Sequence, residues 1–261
     1  MNCRVLGAGL VGSFLGAAAG AAWVAGRGQV AVRARVALPS GIVAWAPAVG
    51  GPAEAPLLVA TRCHQTPWAA LRGHVLAAQN GLGQPVAVVV PYLALDRDAL
   101  GTVRTMGPAP RLVVGPVDAV WAPVLAAWRR AGIAVDEVTD VRPAQWEKAI
   151  LNATVGPLCL ATGLGMGEVW ADAELRRLTL IATDEGAAVA AAAGIAIPPG
   201  LGGRAADFFA QVGAHRPSIV ADAGELPWLL GHLMQAAQQH GVVVTALSAI
   251  AVRAGLATRA A

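Results

Sequence analysis

The chain opens on CRVLGAGLVGSFLGAAAG, residues 3–20, and no other stretch restricts the fold as much. A short β-like run at 3–6 enters GAGLVG, and a run of small residues reading as a helix over 10–26 follows. In a strand–GxGxxG–helix unit each glycine has a separate physical reason. Gly7 permits the tight turn, Gly9 lets the backbone approach a pyrophosphate, and Gly12 lets the helix close onto the sheet. The first helical turn, with Leu10 and Val11, presents N–H groups at the positive end of the helix dipole, which suits a diphosphate. The same uncharged stretch, from Val5 to Gly26, also has the length of a signal peptide or a membrane span. Its strand-like start and six glycines are poor material for insertion, whereas a nucleotide-binding unit accounts for the glycines by position. No membrane partner and a cytoplasmic location are therefore expected.

Short β-like runs continue at 29–36, 56–61, 85–91, 111–115 and 133–138, with a helix at 117–132. Strands alternating with helices predict a doubly wound parallel sheet. Past residue 140 the β signal stops. Helical patterns then occupy 143–163, 172–193, 203–214, 218–223, 226–240 and 245–256, broken by Gly163, Gly194, IPPG at 197–200, Pro217 and Gly241. The expected organisation is an α/β Rossmann-type domain over 1–139, binding NADP, followed by an all-α substrate and catalytic domain over 140–261.

The dinucleotide can be argued from charge. A site for NAD places an acidic residue about 20 positions past the glycines to hold the ribose 2′-hydroxyl. Here no Asp or Glu precedes Glu54, while Arg33 and Arg35 close the expected second strand and Arg27 lies just upstream. A guanidinium there pairs with a 2′-phosphate, so NADP(H) is favoured, with Arg35 the first choice and Arg33 the second. The segment QNGLGQP, 79–85, is expected after a helix and before a strand, where Asn80 would touch cofactor and substrate together.

Composition narrows the remainder. The 261 residues are 56% apolar and 13% charged with a net charge of +3, which supports large cores and no nucleic-acid surface. Cys3, Cys63 and Cys159 have no paired spacing and the five histidines no ligand spacing, so neither a disulfide framework nor a metal site is expected.

The helix carrying QWEKAILNATVGPLC, 145–159, is the odd element. Lys148, Asn152 and Gly156 fall at i, i+4 and i+8, one stripe of a largely apolar helix. A lysine on an inward stripe is costly unless it is used or paired. The plain alternative sends it to solvent or to Glu147. The functional one has Lys148 donate a proton to a carbonyl oxygen while Asn152 holds the same substrate.

These segments together resemble the ketopantoate reductases (2-dehydropantoate 2-reductases). The resemblance runs through GAGLVG, QNGLG at 79–83, WEKAILNATVGPLCLATG at 146–163, MGEVWAD at 166–172 and RPSIVADAGELPWLLGHLMQAAQQHGVVVT at 216–245. It implies NADPH-dependent reduction of a small 2-keto acid, most specifically 2-dehydropantoate to pantoate in pantothenate and coenzyme A biosynthesis, by a monomer or homodimer. It implies Lys148 as general acid, Glu225 as its support and a holder of the substrate hydroxyl, Ser218 at the substrate carboxylate, and Asn152 and Asn80 at the substrate. Arg62 stands where the family has a lysine near the nicotinamide. Three positions depart from the pattern: Gly156, Pro227 and Leu230 replace two asparagines and an aspartate, and the chain is shortened between Arg35 and Pro56. The alternatives are a diverged relative reducing another 2-oxo acid or ketone, and a non-catalytic NADP-binding protein.

Overall fold

A computed structural model describes residues 2–25 and 32–256. The chain forms two compact units, one of Met1–Gln79 and Gly83–Val141, the other of Asn80–Leu82 and Arg142–Ala261. The first is built on a ten-stranded mixed sheet, the second on helices.

The sheet contains β1 (Arg4–Leu6), β2 (Trp23–Ala25), β3 (Ala34–Leu38), β4 (Gly41–Trp45), β5 (Ala48–Val49), β6 (Leu57–Val59), β7 (Val75–Ala77), β8 (Ala87–Arg97), β9 (Val103–Val114) and β10 (Ala134–Glu137). Their order is β4-β3-β9-β8-β7-β6-β1-β2-β5, with β10 added to β9. The run from β8 to β5 is parallel, but β8 with β9 and β3 with β4 pair antiparallel, so the sheet is mixed rather than wholly parallel. Two helices are described here, α1 (Leu10–Ala19) and α2 (Ala122–Arg130). Between β6 and β7 the chain makes two 3-10 turns, Cys63–Gln65 and Trp68–Ala70, where a doubly wound fold would place a helix. Trp68 and Leu71 there cover Leu57, Val59 and Val75.

The expected first helix is shorter than its pattern, and its second part is a strand. Helix α1 stops at Ala19 because Gly20 takes a left-handed conformation, φ 62°, and caps it. The chain then returns as β2, parallel to β1, over Trp23–Ala25. The small residues of α1 follow from its burial on every side, since all positions from Gly12 to Ala19 are buried. A Cβ at Gly16 would lie 2.7 Å from Trp45 of β4 and 3.1 Å from Val5 of β1, so both strands close on the helix at this position. The two tryptophans around α1 satisfy their own N–H groups. Trp128 Nε1 donates to Leu15 O and Trp45 Nε1 to Ala21 O, both at 3.0 Å.

The helical unit contains α3 (Arg142–Thr162), α4 (Met166–Ala171), α5 (Ala173–Ala192), α6 (Leu201–Gln211), α7 (Ser218–Ala221), α8 (His232–Gln239) and α9 (Thr245–Arg253). A π-helical turn, Pro227–Gly231, leads into α8. Helix α3 is central and touches α4, α5, α7, α8, α9 and the π turn. Its neighbours approach through glycine: a Cβ at Gly186 of α5 would sit 2.8 Å from Ile150 of α3. Glu185 binds the open end of α9, accepting from the N–H groups of Ala246 and Leu247 at 2.8 and 2.9 Å. The glycine of MGEVWAD and the one just before it also have a contact reason, since Cβ atoms at Gly167 and Gly165 would strike the backbone of Gly213 and Ala214. Among the described residues no helix is long and apolar enough to cross a membrane.

Gly186→Ala should lower stability by about 1–3 kcal/mol, the usual cost of forcing a methyl into a filled core. Gly203→Ala, exposed inside α6 with open space around it, should raise stability by about 0.5–1 kcal/mol. Chemical denaturation of the two variants measures both signs.

Candidate functional site

In the α/β unit the turn GAGLVG joins β1 to α1. Gly7 has φ 92°, and a Cβ there would lie 2.7 Å from the backbone N of Thr61. A Cβ at Gly12 would lie 1.8 Å from the carbonyl oxygen of Gly7, so the helix folds directly back on the turn. Gly9 caps α1, is exposed, and has open space where a side chain would go. No acidic residue stands in the first turn of α1. A bare backbone, unblocked at Gly9, followed by the N–H groups of Leu10, Val11 and Gly12, fits a pyrophosphate. In an open α/β sheet this carboxyl edge of the parallel strands is where ligands bind.

The same edge holds a polar cluster that the sequence does not announce. Gln79 is buried; its Nε2 donates to Thr61 O and to Thr66 Oγ1, each at 2.6 Å, tying the end of β7 to the loop after β6. Thr61 and Thr66 share a hydroxyl contact at 2.8 Å. Arg62 follows Thr61 in that loop and is half-buried.

Arg33 and Arg35 do not close the strand that follows β1, which is β2. Arg35 lies on β3 opposite Ala44 of β4, exposed, and Arg33 precedes it, also exposed; β3 lies on the far side of β9, β8, β7 and β6 from β1. The alanine-rich run Ala21–Ala25 hides β2 by continuing the composition of α1. Arg27, two positions past β2, and residues 29–31 of the expected strand lie outside the described residues.

In the helical unit α3 carries Lys148 and Asn152. Lys148 is half-buried, and burial pulls its pKa from 10.5 down to about 8. Glu147 bonds elsewhere: its Oε2 accepts from Arg204 Nη2 at 2.6 Å. Asn152 Nδ2 is buried and has no hydrogen-bond partner among the described residues. A buried donor in that state costs about 1–3 kcal/mol. Close by in the fold, α7 packs against α3, and Ser218 at its start donates to Glu225 Oε2 at 2.6 Å. Ser218 is exposed and Glu225 is buried.

Gly156, the gap on the stripe, is buried, and a Cβ there would lie 3.3 Å from Ile219 Cγ2. The segment bearing Ser218 thus fills the space that a side chain at 156 would need. Leu230 is fully buried in the core of this unit, whereas Pro227, at the start of the π turn, is exposed.

Asn80 does not follow a helix. The residues before it form β7, because the run from 63 to 71 makes 3-10 turns instead. Asn80–Leu82 nonetheless belongs to the helical unit, where Gln145 Nε2 donates to Gly81 O at 3.3 Å. His232 bonds the main chain of Leu82; that contact raises its pKa, but burial is the larger effect and lowers it. Gln145 and His232 were absent from the sequence reading, since contacts 64 residues apart leave no local pattern.

Residues 140–255 match the family described as ketopantoate reductase PanE/ApbA C terminal. No curated protein matches the chain by sequence. Among solved structures, a PanE/ApbA family ketopantoate reductase from Ralstonia eutropha JMP134 is 24% identical, covering 98% of each chain, with TM-score 0.79. A 2-dehydropantoate 2-reductase from Geobacter metallireducens GS-15 is 22% identical over 98% of this chain and 100% of its own, TM-score 0.79. D-mandelate dehydrogenase, with NADH and anilino(oxo)acetate, is 16% identical over 98% and 97%, TM-score 0.79. At these identities the likeness establishes the fold.

Lys148→Met should stabilise the protein at pH 7. The folded-state pKa, about 8, is below the ordinary 10.5, so between those values the unfolded chain binds the extra proton. The group's unfavourable contribution is then full below about pH 8 and fades as pH rises towards 10. Denaturation midpoints of both proteins should differ at pH 7 and converge near pH 10; a gap that widens contradicts the cause assigned to the shift.

Proposed function

We propose that this chain, a member of the ketopantoate reductase family through its C-terminal domain, reduces a small 2-keto acid with NADPH, with ketopantoate the first substrate to test. The observation that carries the reading is Asn152. A buried amide donor without a partner among the described residues, four positions from a lysine whose ammonium is partly desolvated, asks for an oxygen acceptor from outside the chain.

Bound nicotinamide would supply the hydride. Lys148, protonated at neutral pH, gives a proton to the ketone oxygen as the carbon becomes tetrahedral, so the product leaves as a 2-hydroxy acid. A lysine with its pKa near 8 suits this role better than one at 10.5, because the proton is given up more readily while most of the group remains charged at pH 7. Asn152 Nδ2 orients the substrate oxygens. Ser218 offers its hydroxyl to the carboxylate, and Glu225 fixes that hydroxyl through their 2.6 Å bond. In the α/β unit the main chain at Gly9–Gly12 receives the pyrophosphate, and Arg62, in the loop beside Gly7, is placed by this reading near the nicotinamide.

A second reading differs only in substrate. Gly156, Pro227 and Leu230 remove polar groups that the family pattern supplies, and D-mandelate dehydrogenase shares the fold. A 2-keto acid with an apolar substituent is its substrate class.

NADPH oxidation with a panel of 2-keto acids, ketopantoate and phenylglyoxylate included, separates the two readings; no turnover with any of them rejects both. Lys148→Ala should lower kcat by roughly 10²–10⁴ while leaving the NADPH Kd within about twofold of wild type, and wild-type kcat should fall as pH rises through about 8.

Nucleotide choice has its own test. The specificity position follows the strand beside β1, which in this chain is β2, and Arg27 is the first cation after it. Arg27→Ala should weaken NADPH binding about tenfold or more without changing NADH binding, as loss of a phosphate-pairing guanidinium does. Arg35→Ala should leave both unchanged; the reverse pattern returns the role to Arg35.

A further inference from the structure

We propose that Gln145 and His232 are positioning residues for Asn80, fastening the main chain of Gly81 and Leu82 to the helical unit so that the Asn80 carboxamide is carried by the same body as Lys148. This rests on the reductase reading above.

The chain changes unit between adjacent residues. Gln79 is locked into the α/β unit through Thr61 and Thr66, whereas Asn80–Leu82 belongs with the helices and Gly83 returns. Gly81 and Gly83 both have left-handed backbones, φ 89° and 83°, so the stretch contributes few side chains of its own to hold it. Its fasteners come from two elements. Gln145, on α3 three residues before Lys148, donates to Gly81 O at 3.3 Å. His232, at the start of α8 and seven residues past Glu225, bonds the Leu82 main chain and sets its ring edge-on to Trp228, centroids 5.0 Å apart. The helix that carries Lys148 therefore also holds the main chain next to Asn80, and α8 holds it one residue further on. Gly81 is buried, so its carbonyl and those beside it require such partners.

A merely structural histidine would also pack against Trp228, and the test separates the two roles. The variants are His232→Leu, His232→Gln and Gln145→Ala in the full chain. His232→Leu and Gln145→Ala should speed amide hydrogen exchange in the peptide spanning 79–84, with exchange in α5 and α9 unchanged. With the 2-keto acid that wild type turns over, His232→Leu should lower kcat/KM roughly 10- to 100-fold, the scale of a misplaced contact, while the NADPH Kd stays within about twofold. His232→Gln, whose amide reaches the same main-chain group, should restore most of both. Unchanged exchange at 79–84 in both Leu and Ala variants overturns the proposal, as does a Gln variant no better than Leu. Should His232→Leu not fold, Gln145→Ala, which removes the bond to Gly81 O, decides alone. If wild type reduces no 2-keto acid, the reductase reading fails, and the exchange arm still decides whether these two side chains hold the loop.

Discussion

The helical unit depends on how closely its neighbours reach α3. Gly186 brings α5 against Ile150, and Gly156 brings α7 against α3 at Ile219, both at distances a β-carbon would not tolerate without movement. On the same helix Lys148 is half-buried and the amide nitrogen of Asn152 is buried. Lys148 responds with a lowered pKa and Asn152 with an unmatched donor. Both are costs in the folded chain, and a substrate oxygen is a group able to relieve them. The packing and the proposed chemistry are thus one constraint, in which core formation prepares the polar stripe by desolvating it.

That view changes the meaning of Gly156. On the sequence it is a lost asparagine, and so a lost hydrogen bond. In the fold it is an exchange: removing the side chain lets Ile219 and the adjacent Ser218 close on α3. Ser218 in turn reaches Glu225. A Cβ restored at 156 would require Ile219 Cγ2 to give by a few tenths of an ångström. Leu230 is a different case, because it is fully buried and serves the core of its own unit.

What the sequence made legible follows from the range of the interactions. The turn at Gly7–Gly12 and the helices of the second half rest on local periodicity and local backbone geometry, and they stand where the pattern put them, save α4, which is only six residues long. Strands β2 and β7 have three residues each and β5 two, too few for an alternation to register, whereas β6 falls inside the run expected at 56–61. β2 was lost inside an alanine-rich run, and the misplacement moved the expected phosphate contact to Arg35, on a strand paired with β4 and β9. Gln79, Gln145 and His232 make contacts across 13 to 64 or more residues, which no local pattern encodes.

A division of labour explains why a chain with such low identity to its structural relatives retains one fold so fully. Recognition of a pyrophosphate by main-chain N–H groups demands only that certain side chains be absent, and Gly7, Gly9 and Gly12 meet that demand whatever surrounds them. In the proposed reduction, recognition of the keto acid falls to side chains, and each can be exchanged for another that fills the core equally well. The α/β unit is therefore constrained by geometry and the helical unit by chemistry. Under the proposed reduction Lys148 and Asn152 are the positions least free to change, because altering either one leaves the stripe without a group that can meet a ketone.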